Sequence, residues 1–256
     1  MPPVMTPPLV HFVHVSDTHI HPDPNYGREN AQHSALAGAR ELVQRLNALP
    51  FTPDFVLHTG DVAADPFPGV YDAVRAVLGE CRYPIRYLAG NHDERGALRL
   101  DAEFEVNGVH FVCIDSNGPA EPPRGFVPEA ELSRLRRVCK SDDPRPLVIA
   151  THHNVLPIGS PWYDEFMRMT NGEEFHRALL PARHRIRGVF FGHVHQDIDT
   201  YRDGILYAGV SSSWCQFHAW PDQPLTVHDR EAQPGFSVVT ISKDQTSIRR
   251  HRFLVR

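Results

Sequence analysis

Residues 9–19 read LVHFVHVSDTH, a partly alternating apolar run that stops at three small polar residues, with Asp17 and His19 just past its end. Alternation of this kind predicts a strand. The same arrangement recurs outward along the chain. Residues 54–57 run into HTGD, ending at Asp61, and residues 85–88 run into AGNHD. Residues 147–150 run into THHN, and residues 189–191 run into GHVH. Between these strands, residues 30–49 carry Ala35, Leu36, Ala39, Leu42, Val43 and Leu46 at the spacing of an amphipathic helix that stops before Pro50. Residues 70–78 and 129–138 show the same period, the former terminated by Gly79. A hairpin is expected over 103–106 and 109–114 around Asn107 and Gly108, and strands over 205–208, 236–241 and 247–254 end the chain in β structure. Strand, polar loop and helix in alternation predict an α/β protein, whose ligand sites lie beyond the carboxyl ends of its strands. The polar segments fall there.

A chain of 256 residues, 41% hydrophobic and 22% charged, buries enough surface for one domain, expected over residues 9–256 after a flexible N-terminus of residues 1–8. Those eight residues hold four prolines and neither a basic nor an apolar region of a secretory signal. No apolar stretch reaches bilayer-spanning length. Cys81, Cys113, Cys139 and Cys215 show no CxxC spacing, which predicts reduced thiols. A cytoplasmic location is the resulting expectation. The formal charge of -5 argues against long nucleic acid as a partner and leaves a small anionic substrate open, because a metal site carries its own positive charge.

The polar segments supply carboxylates, an amide oxygen and imidazoles. Residues two apart in an extended segment point to the same side, so Asp17 with His19, and His193 with His195, can each aim two donors at one point. Carboxylate with imidazole suits manganese, iron, zinc or cobalt and not calcium. A carboxylate can bridge two ions roughly 3.5 to 4 Å apart, and Asp61 is the best candidate. The other donors divide into Asp17, His19 and His195 at one ion and Asn91, His152 and His193 at the second. Water between two such ions is largely hydroxide near neutral pH and can attack phosphorus. His92, beside a ligand and not needed as one, suits the general acid that protonates the leaving oxygen. Among 17 histidines a single DxH or HxH arises readily by chance, so the argument rests on the conjunction of five segments. One of the adjacent pair His152 and His153 is expected to point away. His152 is taken as the ligand and His153 as a support or a substrate contact.

In the order DxH, GD, GNHD, H and GHVH, these segments resemble the calcineurin-like metallophosphoesterases in full from Asp17 to His195. The resemblance implies a double β-sheet sandwich flanked by helices, the αββα arrangement. It implies a two-metal centre on Asp17, His19, Asp61, Asn91, His152, His193 and His195, and a catalytic role for His92. Within that superfamily the chain is similar to bacterial class III cyclic nucleotide phosphodiesterases, on VSDTHI, GHVHQD, AGVSSSWCQFHAW and QPGFSVVTI. The segment HHNVLPIGSPWYDE also fits, with Asn154 where relatives often carry another histidine or a proline. Related glycerophosphodiester phosphodiesterases share the core.

Hydrolysis of 3',5'-cyclic AMP to 5'-AMP is therefore expected, with a broad-specificity or glycerol-type phosphodiesterase as the alternative. A non-catalytic scaffold is a third reading, at odds with a complete ligand set and an intact His92. Three long segments, 117–128, 155–171 and 211–235, are left to choose the diester. Within them Asn117 is a candidate phosphate or sugar contact, as is Asn154 just before the second, and Trp162 and Trp214 are candidate stacking partners for a base. The same aromatic residues could instead pack the loops or form a contact in a homodimer or larger homo-oligomer.

Overall fold

The computed structural model describes residues 8–256. Residues 1–7 of the expected N-terminal segment lie outside the described residues, and Pro8 already opens the first strand, β1 (Pro8–Val15). Val10 and Phe12 face one side of β1 and Val13 and Val15 the other, and all four are buried. Both faces of the strand are covered, so its alternation is of direction and not of polarity.

After β1 come α1 (Ala35–Asn47), β2 (Phe55–His58), α2 (Val70–Leu78), β3 (Ile85–Tyr87), and the hairpin β4 (Glu103–Val106) and β5 (Val109–Cys113). The middle of the chain forms α3 (Glu129–Cys139), β6 (Leu147–Ala150), α4 (Pro161–Phe166), α5 (Gly172–Leu179) with a 3-10 turn (Leu180–Ala182), and β7 (Ile186–Phe191). The rest is β8 (Asp199–Arg202), β9 (Ile205–Gly209), the short pair β10 (Gln216–Phe217) and β11 (His228–Asp229), β12 (Gly235–Ser242) and β13 (Thr246–Arg252). The helix expected from residue 30 begins five residues later, where the Ser34 side chain accepts the Ala37 amide at 3.2 Å and caps it. Helix α4 occupies part of the segment read as a long loop. Helix α5, with Phe175, Ala178 and Leu179 buried, is too short for its period to stand out.

One sheet has the order β13-β12-β1-β2-β3 and the other β4-β5-β6-β7-β9-β8. In the first, β1, β2 and β3 are parallel; in the second, β5, β6, β7 and β9 are. The sheets meet face to face over a core in which Phe12 lies 5.4 Å from Phe55, 5.7 Å from Phe111 and 5.2 Å from Phe190. Helices α1 and α2 cover the outer face of the first sheet, and α3, α4 and α5 that of the second. This is the expected helix-flanked double sandwich. It brings the carboxyl ends of both parallel sets to one edge. Among the described residues no helix is long and apolar enough to cross a membrane.

Candidate metal centre

Beyond the strand ends the polar segments bind one another. The Asp17 amide donates to the Gly60 carbonyl at 2.9 Å, His19 to Asp61 at 3.0 Å, and Gly192 to the His152 carbonyl at 3.0 Å. This pairing does not leave the donor pairs extended, as the two-residue spacing suggested. Asp17, His19, Asp61, His193 and His195 all have left-handed backbone, with φ of 55°, 42°, 50°, 66° and 50°. Such conformations cost on the order of 1–3 kcal/mol each and persist where surroundings enforce them. The glycines have their own reason. Gly60 has φ of +104°, and a Cβ at Gly192 would lie 1.9 Å from Ser16 Oγ, so neither position takes a side chain without a shift.

The side chains then converge. His195 Nε2 is 3.3 Å from Asp17 Oδ1 and 3.3 Å from His19 Nε2, and His19 Nε2 is 3.6 Å from Asp61 Oδ2. On the other side of Asp61, His152 Nε2 is 3.2 Å from Oδ2 and 3.1 Å from Asn91 Oδ1. His193 shares a donor cluster with His152 and His153, whose ligand atoms lie within 4.8 Å of one another. Three imidazoles are oriented from behind: His152 Nδ1 donates to Thr59 O at 2.8 Å, His195 Nδ1 to Cys215 O at 2.8 Å, and His193 Nε2 to Met167 O at 3.1 Å. Each carbonyl fixes a tautomer whose other nitrogen presents a lone pair, the usual support of a metal-ligating histidine. Asp17 Oδ2 accepts the His193 amide at 2.9 Å, whereas Asp17 Oδ1 is buried without a hydrogen-bond partner. A buried carboxylate oxygen among converging imidazole nitrogens is a site that cations would satisfy. The donor set fits two of them, sharing Asp61.

The electrostatics agree. Burial pushes His19 and His193 down to about 3, so both are neutral donors. Against burial, the Asp61 carboxylate pulls His152 up to about 9, and Asp17 likewise raises His195. The same contacts, again working against burial, hold Asp17 and Asp61 below the ordinary carboxylate range. Without cations the carboxylates draw protons onto His152 and His195; metal binding replaces those protons.

His92 stands at the rim, its ring centroid 4.9 Å from that of His19 and its amide donating to Asp61 Oδ1 at 2.9 Å. Its Nδ1 is 2.7 Å from Asp65 Oδ1, so Asp65 aims the imidazole. Sequence reading missed Asp65, whose only signal is an acidic residue four positions after Asp61. It also missed Asp93, which accepts the Val62, Ala63 and Gly90 amides at 3.0, 3.0 and 2.9 Å and locks the GNHD turn to the GD turn. Burial and the nearby Asp61 raise Asp93 to about 6, opposed by those amides.

A cleft of about 190 Å3 opens over these groups, walled by Tyr26, Pro123, Met167, Trp214 and Phe217. Of the five expected substrate contacts, Trp214 alone lines it. Trp162 is 3% exposed and packs into the helix-side core, its ring 3.7 Å from Tyr163. Asn117 instead supports the GNHD turn from behind, donating to the Ala89 carbonyl at 2.9 Å. Asn154 is buried and donates to the Leu156 carbonyl at 3.1 Å. His153 is buried as well, but it does not point away from His152. A bend after β6 turns both rings to one side, with His153 4.4 Å from His193 and its Nδ1 2.8 Å from Ser116 Oγ.

The sequence profile of the calcineurin-like phosphoesterases matches residues 10–197. The 3',5'-cyclic adenosine monophosphate phosphodiesterase CpdA of Pseudomonas aeruginosa is 30% identical, over 91% of this chain and 86% of that protein. The glycerophosphodiester phosphodiesterase GpdQ of Enterobacter lignolyticus is 27% identical, over 72% of this chain and 70% of that protein. Among solved structures, a dimetal phosphatase from Danio rerio superposes with a TM-score of 0.66 at 15% identity, over 97% of this chain and 100% of that one, a likeness of fold.

Proposed function

The chain belongs to the calcineurin-like phosphoesterase family, and from that premise we propose that it is a metal-dependent phosphodiesterase that hydrolyses 3',5'-cyclic AMP to 5'-AMP. The observation that carries the reading is the clustering of seven candidate metal donors beneath one cleft, with the Asp65–His92 pair at its rim. In this assignment Asp17, His19 and His195 would hold one ion, Asn91, His152 and His193 the other, and Asp61 would be shared. Two transition-metal ions bound there would supply Lewis acidity toward the phosphoryl oxygens and a water acidic enough to serve as the nucleophile near neutral pH.

The chain's own groups do the rest. Water adds to phosphorus and gives up one proton to solvent, the bond from phosphorus to the 3' oxygen breaks, and that oxygen takes a proton from His92 Nε2, which solvent then restores. The Asp65 carboxylate accepts the Nδ1 hydrogen, which keeps Nε2 directed at the leaving oxygen. Met167, Trp214 and Phe217 wall the cleft with apolar surface and limit bulk water around the reacting atoms.

The test compares kcat/KM for 3',5'-cyclic AMP, 2',3'-cyclic AMP and glycerophosphodiesters with manganese present. The first is expected to be the best substrate, and no detectable cyclic AMP hydrolysis would overturn the assignment. A glycerol-type or broad phosphodiesterase is the second reading, favoured by the small cleft and by the GpdQ relative; a preference for glycerophosphodiesters would establish it. Fewer than two transition ions per chain after reconstitution, with no esterase activity, would favour a scaffold.

A further inference from the structure

The cleft over the metal donors is smaller than a nucleotide needs. Its volume of about 190 Å3 falls below the roughly 300 Å3 at which pockets begin to enclose a multi-ring ligand. A nucleoside diester with its phosphoryl group at the donors must therefore extend part of itself beyond the mouth. At the mouth, a row of rings runs outward from the donor His19. Trp214 lies 5.1 Å from His19, Tyr26 5.7 Å from Trp214, His21 4.4 Å from Tyr26 at an interplanar angle of 18°, and Phe67 5.1 Å from His21. The first rings wall the cleft, and the last does not behave as a core residue. Phe67 is 54% exposed, whereas Phe12 and Phe111 between the sheets are at most 1% exposed. Phe67 also sits two positions after Asp65, on the loop that aims His92.

We propose that Phe67, backed by the stacked rings of His21 and Tyr26, ends an aromatic shelf whose exposed face takes the base of a nucleotide substrate while its phosphoryl group lies at the metal donors. The ligand class is a planar heteroaromatic ring, because every such ring has a face to stack. This inference rests on the phosphodiesterase reading and narrows it, since a glycerol-type diester carries no ring and gains nothing from the shelf.

The experiment measures inhibition by 5'-AMP and by ribose 5-phosphate, which share a phosphate and differ in the base. It uses the manganese-loaded wild type and the Phe67→Leu and Phe67→Trp variants, with bis(p-nitrophenyl) phosphate as reporter substrate. Wild type should bind 5'-AMP the more tightly. Phe67→Leu should shrink that preference by about five-fold or more, and Phe67→Trp, which restores a flat face, should keep it. Equal binding of the two ligands by wild type, or an equal preference in wild type and Phe67→Leu, would overturn the shelf and leave the phosphodiesterase reading standing. A loaded wild type that turns over no diester would overturn that reading, and the shelf with it.

Discussion

At the residue scale, the proposed assignment separates side chains that would hold cations from the one that would move a proton. His92 makes its contacts to Asp65 and Asp61 at the rim, so His92→Ala should lower kcat by about 100-fold to 10,000-fold with metal content nearly intact. Asp61→Ala, between both donor sets, should lower metal content itself. Elemental analysis beside kinetics checks both, and an emptied site in His92→Ala would show the division of roles to be wrong. Behind the donors, His14 bonds Thr59 Oγ1 at 3.0 Å and packs on Phe190, and burial pushes its imidazole down to about 3. The unfolded chain binds this proton near pH 6.5 and the folded chain does not, so His14 favours the fold fully above pH 6.5 and loses that contribution as pH falls toward 3. Urea unfolding of the metal-stripped chain should show stability dropping by about 1.4 kcal/mol per pH unit across that window from this group. His14→Gln should remove that share of the slope.

At the scale of elements, the periodicities of residues 70–78 and 147–150 returned α2 and β6 with the same bounds, because each buries a contiguous apolar face. The pieces that escaped, among them α4, α5, β8 and the β10–β11 pair, are short and take their form from neighbours rather than from their own pattern. The terminal strand β13 illustrates what that costs a sequence reader. Its Arg250 and Arg252 reach Asp197, two residues past His195, at 3.2 and 2.8 Å, and Asp197 also accepts the Ser211 amide at 3.0 Å. The adjacent Ser212 hydroxyl donates to the Asp17 carbonyl at 2.6 Å. The last hairpin thereby braces two donor turns. Asp197→Ala should cost about 1–3 kcal/mol in urea unfolding and weaken metal binding by roughly ten-fold in a calorimetric titration. An unchanged metal affinity would confine the brace to stability.

For the whole molecule, the five-stranded sheet draws β1, β2 and β3 from the start of the chain and β12 and β13 from its end, and on that ground we take residues 9–256 as one domain. Its centre is the phenylalanine cluster between the sheets, so Phe111→Ala should lower stability by about 3–5 kcal/mol, seen as a lower urea midpoint at unchanged slope. Bound ions add stability by mass action, so chelation should lower the melting temperature of the wild type and leave Asp61→Ala unmoved. The sequence by itself determined the strand-helix rhythm and singled out the seven candidate donors and His92. Apolar period and ligand chemistry are written in residue type and local spacing, and the turns that carry them follow strand ends in a fixed order. Tertiary structure alone decided the left-handed turns that aim the donors, the Asp65 contact to His92, the inward turn of His153, the burial of Trp162 and the row of rings at the cleft mouth. Each depends on contacts between segments far apart in the chain, up to 195 residues for Ser212 and Asp17, and no local pattern records such a separation.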